Sequence, residues 1–435
     1  MKTNKKVYVI GGGPLGLGMA HEFLENHVGV TILEAGPKLL GLAETFERNG
    51  LEVEKFYHFF YKNDHFMSVD WLKNYCNSEP KIDWKDITTD SVVSGSRHNF
   101  DSIFTIIKLS GFNVFRAGWT FFMLMIKKPS KKLDSISAEH WARNVFGSKF
   151  AEGVWLPLLK QKFGERSSDV SALWLATRIK RHLSTKGQGV GKSRFGYLVD
   201  TYVPYVENFS NKLKQGGGKV VLADPVLKIL ASANKITKII TKNSEIDVSN
   251  DIVFSSIPLA NLKGLMPNPD SIPLLEKFTN VGVVVCILFL KKPLSRHYWT
   301  TVSDEKYPFS AIIQQNRLHA KSSEEIVYLS RYCESSDKLM DCNETELKDE
   351  WVDALNDIYP DFLKEDIIEA KVVRAKNAAP IPYIGAIEDL KNISSPFDNF
   401  YFAGYEHIFP EDRGVGNSIS VGRQTVKNYM NNNNV

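Results

Sequence analysis

Lys6–Glu34 reads KVYVIGGGPLGLGMAHEFLENHVGVTILE. Lys6–Ile10 is a short β-rich run, and Gly11–Gly16 is a glycine turn. From Leu17 to Asn26, apolar Leu17, Ala20 and Leu24 recur at helical spacing. Val28–Leu33 is a second apolar run, closed by Glu34. Strand, turn, helix and strand in this order make a βαβ unit and predict an α/β fold with parallel strands. Gly11-x-Gly13-x-x-Gly16 suits a dinucleotide. Gly11 permits the tight turn, Gly13 lets a pyrophosphate reach the backbone, and Gly16 lets helix and strand pack closely. The helix start at Pro14 and Leu15 turns the free N–H groups of its first turn, of which Pro14 has none, and a positive dipole end toward the phosphates. Glu34, 23 residues after Gly11, is placed to accept the adenosine ribose hydroxyls. Its charge argues against a 2′-phosphate there. The bland alternative is a glycine turn with no ligand.

The rest of the chain bounds this reading. It has 435 residues, 54 Lys+Arg and 50 Asp+Glu, for a net charge of +4. That near balance is no nucleic-acid footprint. Apolar residues at 43% and charged residues at 24% are globular values, and the length suits two or three domains. Cys76, Cys286, Cys333 and Cys342 show no C-x-x-C spacing, so neither a zinc site nor a disulfide framework is expected. Sparse cysteine and a polar start without a continuous apolar h-region favour the cytoplasm. Residues 103–126 are strongly apolar but are interrupted by Lys108 and Arg116. They read as two buried or half-buried helices rather than a span. The alternative is a peripheral contact at the inner face of the membrane, with Lys127–Lys132 on headgroups.

Between the ends, residues 70–195 read as mainly helical, with helices over Ala138–Phe146, Lys149–Leu159 and Ala172–Leu183. A helix is expected from Tyr197 to Gln215, ended by three glycines, and then short strands to Phe254. Residues 280–376 read as an antiparallel sheet with a helix over Glu344–Ile358. Phe400–Ala403 is a further strand, and Gly416 leads into a last helix. The expected architecture is a discontinuous Rossmann-like domain from 1–70, 196–262 and 392–435. Inserted in it is an α+β substrate domain from 71–195 and 263–391, containing the antiparallel sheet.

After Glu34 the chain continues Ala35-Gly36-Pro37-Lys38-Leu39-Leu40-Gly41-Leu42-Ala43-Glu44-Thr45. This resembles the segment after the second strand in flavoproteins of the amine oxidase, protoporphyrinogen oxidase and phytoene desaturase superfamily, roughly E-A-x-x-x-x-G-G-x-x-x-T. Leu40 stands where the first glycine of the pair belongs, and Lys38 is the only counterpart of the arginine often found before it. Ala223-Asp224-Pro225-Val226 and Val253-Phe254-Ser255-Ser256-Ile257-Pro258 resemble two further segments of that superfamily. Asn399-Phe400-Tyr401-Phe402-Ala403-Gly404-Tyr405-Glu406, then Gly414-Val415-Gly416-Asn417-Ser418, is similar to its second FAD fingerprint.

The resemblance implies FAD as cofactor. It implies contacts from Gly11, Gly13, Pro14, Leu15, Gly16, Glu34, Ala35, Gly41, Leu42 and Ala43. It also implies contacts from Val226, Ser256, Gly404, Glu406, Gly414, Val415, Asn417 and Ser418. The helix after Gly414 would sit at the flavin pyrimidine edge and stabilise negative charge on the reduced ring. Val285 occupies the place of the lysine that promotes oxygen reactivity in the amine oxidases, which sets an oxygen-using amine oxidase in doubt. Hydride removal of the protoporphyrinogen oxidase or desaturase kind stays open. So does a redox-neutral mutase reaction on a nucleotide sugar, which would need arginines such as Arg296, Arg331 and Arg413 on a diphosphate. A non-catalytic FAD-binding protein is the third reading. Candidate catalytic residues are His58 as acid/base beside the flavin, Arg331 as an anion contact on an apolar face, and Tyr383 as a cavity wall. The electron acceptor is left open.

Overall fold

The structure, a computed structural model, describes residues 5–61, 65–75, 79–93, 96–98, 114–183, 193–268 and 270–433. The glycine turn sits at the heart of a five-stranded parallel sheet. β1 (Val7–Ile10) and β2 (Val30–Leu33) pair in parallel, as the βαβ pattern predicts. β10 (Lys219–Val221) extends one side, and β14 (Ile252–Ser255) and β20 (Phe400–Phe402) the other. Three distant stretches of chain therefore build one sheet. Every residue of β1 and β14 is buried, as expected of parallel strands covered on both faces.

Helix α1 (Pro14–Glu25) covers one face of that sheet and buries Leu15, Leu17, Met19 and Phe23. Each such side chain stabilises the fold by roughly 1.5–3 kcal/mol. A last helix, Val415–Asn433, crosses α1 at glycines on both partners. A Cβ on Gly18 would lie 2.3 Å from the Ile419 carbonyl oxygen, and one on Gly422 2.1 Å from that of Leu15. The two backbones are in direct contact.

A seven-stranded mixed sheet forms the second layer. Its long strand β15 (Asn280–Leu290) lies second from one edge, between β19 (Ile367–Pro380) and β18 (Glu325–Glu334). β17 (Ala311–Gln314), β16 (Trp299–Val302), β7 (Thr89–Val93) and β8 (Ser96–His98) continue it. Period two divides β15. Val284, Cys286 and Leu288 face a core shared with the helix Glu344–Ile358, whereas Val283, Val285 and Ile287 face an aromatic cluster that includes Tyr57 and Tyr328. Two hairpin strands, β3 (Thr45–Arg48) and β4 (Leu51–Glu54), join this cluster to the glycine-turn sheet. The small sheet of β5 (Phe60–Tyr61), β9 (Ser193–Leu198) and β6 (Ile82–Ile87) also adjoins it. β11 (Val226–Ser232), β12 (Lys235–Thr241) and β13 (Glu245–Asp247) form a separate antiparallel sheet.

The helical region is built from α2 (His65–Asn74), α3 (Val114–Ile126), α4 (Ala138–Phe146), α5 (Leu156–Phe163) and α6 (Ala172–Leu183). The later helices are α7 (Val203–Gln215), α8 (Leu259–Leu265), α9 (Glu344–Ile358), α10 (Ala386–Asn392) and α11 (Val415–Asn433). No helix among the described residues is long and apolar enough to cross a membrane.

Among the described residues of 70–195 helix prevails, as expected, although β6, β7 and β8 also lie there; in β6, alternating Ile82, Trp84 and Asp86 pair with β9. Three expectations need correction. The helix expected from Tyr197 starts at Val203, since Phe195 and Tyr197 enter one core and Leu198 another, the two-sided burial of a strand. Lys149–Leu159 is interrupted by a π turn over Ala151–Trp155. Of residues 103–126, only α3 lies among the described residues, and one of its faces is open. Cys76 and the glycine run 186–191 lie outside them.

Candidate functional site

The glycine turn leaves a cradle. Gly11 has φ +98°, and a Cβ there would meet the Ser256 hydroxyl at 2.6 Å. That hydroxyl donates to the Ile10 and Gly11 carbonyls, so Ser256 braces the turn. A Cβ on Gly16 would lie 2.0 Å from the Gly11 carbonyl oxygen. Gly13 differs: a Cβ there would meet nothing within 4 Å. It precedes α1 without a side-chain cap, and Pro14 follows. The first N–H groups of a helix have no partner within it. Open space, an uncapped helix start and a positive dipole end fit a pyrophosphate.

Glu34 closes the edge of this cradle. Its two carboxylate oxygens accept from the Gly12 and Gly36 amides at 2.6 and 2.7 Å. Each keeps a lone pair for a ribose hydroxyl. Leu40 adopts φ +94°, the left-handed backbone of the glycine it replaces, and its N–H donates to the Gly12 carbonyl. That conformation costs a non-glycine residue about 1–2 kcal/mol. The loop needs the turn regardless, because Gly41, Leu42 and Ala43 must fold over Gly13. A Cβ on Gly41 would lie 3.4 Å from the Gly13 Cα. Ala35 joins Glu34 to this loop. Val226 begins β11, whose neighbour Asp224 is anchored by Thr241 and Asn243.

The far end of the cradle is set by β20. Gly404 follows it, and the buried Glu406 accepts the Leu259 amide through Oε1. Its Oε2 is buried without a hydrogen-bond partner and would be 2.1 Å from a Cβ on Gly404. Such an orphaned oxygen fits a site that awaits a hydroxyl donor. Gly414 leads into α11, whose first turn carries Val415, Asn417 and Ser418. These residues fit a flavin dinucleotide from its adenosine end at Glu34 to its ring end at Gly414.

Burial pushes the Glu406 carboxyl up to about 8, against an ordinary 4.5. Between those values the folded chain holds a proton that the unfolded chain has lost, so stability falls as pH rises through that window. Glu406→Gln is expected to flatten this decline in cofactor-free protein. Melting temperature measured between about pH 5 and 9 checks it, and equal slopes in both proteins contradict it. Gly13→Ala is expected to leave cofactor-free stability unchanged, because the methyl enters open space, while lowering FAD affinity at least ~100-fold by occupying the pyrophosphate path. Equilibrium dialysis beside a denaturant titration checks both halves.

Beside the ring end lies a polar cluster that the sequence reading misses. Asp412 accepts from Lys162 at 3.3 Å, from the Trp174 indole at 3.0 Å and from Arg178. Burial alone would raise its carboxyl, but Lys162, Arg178 and Arg181 hold it well below the usual carboxylate range. Next to it, Arg413 donates to the Tyr332 hydroxyl at 3.3 Å. Burial pushes that phenol up, and Arg413 and Lys162 more than reverse the shift. Tyr57, bonded to Ser330, completes the wall. A signal existed: Trp174, Arg178 and Arg181 share one face of α6 at i, i+4 and i+7.

Of the three catalytic candidates, His58 adjoins the cluster. Burial and then Arg413 lower its imidazole to about 4, so it is neutral at pH 7 and by itself a weak proton acceptor. Its Nδ1 lies 3.7 Å from Glu54, whose carboxyl burial raises to about 7. Arg331 does not face the site. It lies on the α9 face of β18 and donates to the Pro308 carbonyl at 3.2 Å, while Tyr332, one residue on, faces Arg413. The Tyr383 ring lines a small cavity with Lys162, Glu406 and Arg413, but its hydroxyl donates to Asp389 at 2.9 Å. Val285 faces the aromatic cluster and is fully buried, so that strand presents no lysine to the site.

The family model for flavin containing amine oxidoreductases matches residues 16–411. No curated protein matches the chain in sequence. Among solved structures, an Exiguobacterium protein provisionally described as a protoporphyrinogen oxidase is 16% identical; 99% of each chain is covered and the TM-score is 0.76. Reduced UDP-galactopyranose mutase is also 16% identical, over 98% of this chain and 96% of that one, at TM-score 0.73. Putrescine oxidase with bound putrescine is 14% identical, over 98% and 99%, also at 0.73. At such identities these structures show likeness of fold.

Proposed function

The chain belongs to the flavin containing amine oxidoreductase family, and from that premise we propose an FAD-dependent oxidoreductase that takes hydride from an anionic organic substrate. The Rossmann-like parts 1–70, 196–262 and 392–435 would hold FAD, and 71–195 with 263–391 would hold the substrate. When bound, the flavin supplies the two-electron redox chemistry. The residues of this chain bind and orient. The glycine turn and α1 hold the pyrophosphate, Glu34 the ribose, and Glu406 a hydroxyl of the cofactor. The start of α11 favours negative charge on the ring.

One observation carries the substrate class. Among the described residues, Lys162, Arg178 and Arg413 lie about Asp412 at the ring end, beside a cavity that Glu406 and Glu411 also line. An excess of cations in a half-buried cleft attracts carboxylate or phosphate and repels a diamine. The His58–Glu54 pair accepts the proton that leaves with the hydride, with the Glu54 carboxyl, which titrates near neutrality, holding it, and the aromatic wall around Tyr57 excludes water.

Anaerobic mixing of the holoprotein with protoporphyrinogen, putrescine and UDP-galactopyranose tests this. Loss of the oxidised flavin absorbance with the dicarboxylate, and none with putrescine, is the expected result. Reduction by putrescine overturns the charge argument. The same cations suit a diphosphate, which favours the mutase as second reading; UDP binding that appears only after flavin reduction selects it. Of its three expected arginines, Arg331 is on the opposite face of the sheet from Arg413, so Arg178 and Arg181 would serve instead.

A further inference from the structure

Helix α3 is apolar on two opposite sides. One side packs into the helical core through Ala117 and Leu124, with Phe121 against Phe146. The other carries Phe115, Trp119, Phe122 and Ile126, within an arc of about 60° by the 100° step of the helix. These side chains are exposed: Phe115 by 85%, Trp119 by 64% and Ile126 by 58%. Met125 stands at the edge of the stripe, half exposed. A contiguous stripe of large apolar side chains on the surface is a place of contact, whereas scattered ones are not.

The charge next to the stripe names the partner. Straight after Ile126 come Lys127, Lys128, Lys131 and Lys132, all exposed, with no acid among residues 127–132. The nearest acid, Asp134, is buried and bonded to Ser171. The helix is 13 residues long, about 20 Å, too short to span a hydrocarbon core of ~30 Å. An aromatic and aliphatic face bordered by lysines matches a helix lying in a bilayer interface, with its apolar face among acyl chains and its lysines among anionic headgroups.

We propose that the outward face of α3, with Lys127, Lys128, Lys131 and Lys132, docks the protein peripherally on an anionic lipid bilayer. This surface has a fixed relation to the polar cluster. Lys180 of α6 donates to the Leu124 carbonyl at 2.6 Å, and the same helix carries Trp174, Arg178 and Arg181. The bilayer would therefore lie one helix away from the anion-attracting cleft. The docking inference stands on α3 and its lysines, and survives if the redox reading fails.

Flotation of the FAD-loaded protein with phosphatidylcholine vesicles, with and without phosphatidylglycerol, tests it. The expected result is flotation that phosphatidylglycerol strengthens and added salt weakens. Phe115→Ser with Trp119→Ser is expected to lower partitioning at least tenfold. Each Lys→Gln change in the quartet is expected to lower it about fivefold at low salt, on anionic vesicles alone. FAD content and melting temperature should match the parent, since all six side chains are exposed. Three outcomes overturn the proposal. The first is absence of flotation on both vesicles, and the second is flotation that the double serine variant leaves unchanged. The third is a concentration-dependent dimer that the serine variant abolishes, which would assign the face to a second copy of this chain.

Discussion

Gly422→Val is expected to abolish the folded, FAD-binding state. The first added carbon alone would lie 2.1 Å from the Leu15 carbonyl oxygen, 2.9 Å from the Met19 nitrogen and 3.1 Å from the Leu15 carbonyl carbon. All three are backbone atoms of α1, which no rotamer change can move aside. Relief requires α1 and α11 to separate, and Gly18 shows that the contact is tight from the other side as well. Separation uncovers Leu15, Met19 and Ile419, which are buried at the crossing. It also shifts the first turn of α11 away from the ring end of the cradle. A loss above about 4 kcal/mol is expected, in the range reserved for overpacking against an immovable neighbour. A urea midpoint for the cofactor-free protein, with flavin content after purification, measures it. A variant with the parent's midpoint and full flavin would show that the helices can slide apart at no cost.

Asp412→Ala is the second large effect. The carboxylate is only 16% exposed and answers Lys162, the Trp174 indole and Arg178. Removing it leaves Lys162 and Arg178 without the carboxylate that both bond. Breaking a buried pair by deleting one partner costs about 3–5 kcal/mol, and the 44% exposure of Arg178 places this case near ~3 kcal/mol. Two further results separate charge from mere packing. Adding Lys162→Met to Asp412→Ala should recover part of the loss, because the pair is coupled. Inorganic phosphate should stabilise the alanine variant more than the parent, since the vacated position remains ringed by cations. A variant that is as stable as the parent, or one indifferent to phosphate, would remove the electrostatic argument for an anionic substrate.

The parallel strands and the glycine turn were legible because each rests on a local rule. Val7–Ile10 and Val30–Leu33 are short β-rich runs, and Gly11, Gly13 and Gly16 stand at the spacing of a dinucleotide turn. Helix α9 was read to the residue because Asn343 caps it and its apolar positions keep one period. What escaped depends on pairing between distant segments. Tyr197 looks helical until β6 is beside it. Arg331 and Tyr332 are adjacent in sequence, and only the register of β18 between β15 and β17 decides which faces the cleft. The cation cluster takes Lys162 from one helix, Arg178 from another and Asp412 from the loop before a third. No single stretch shows its charge excess. Leu40 is instructive in the other direction: a departure from the glycine pair in sequence is no departure in backbone.

The crossing of α1 and α11 also sets an order in time. Gly18 meets Ile419 and Gly422 meets Leu15, yet about four hundred residues separate the members of each pair. At a ribosomal rate of roughly 5–20 residues per second, α1 emerges about 20 to 80 seconds before its partner exists. During that interval β1 also lacks β14, and β14 in turn lacks β20. The nascent glycine turn therefore has neither its sheet nor its helix, and it must be kept from premature pairing while the inserted layers are made. Capture of FAD must wait for α11, and that helix acts as the latch that permits it.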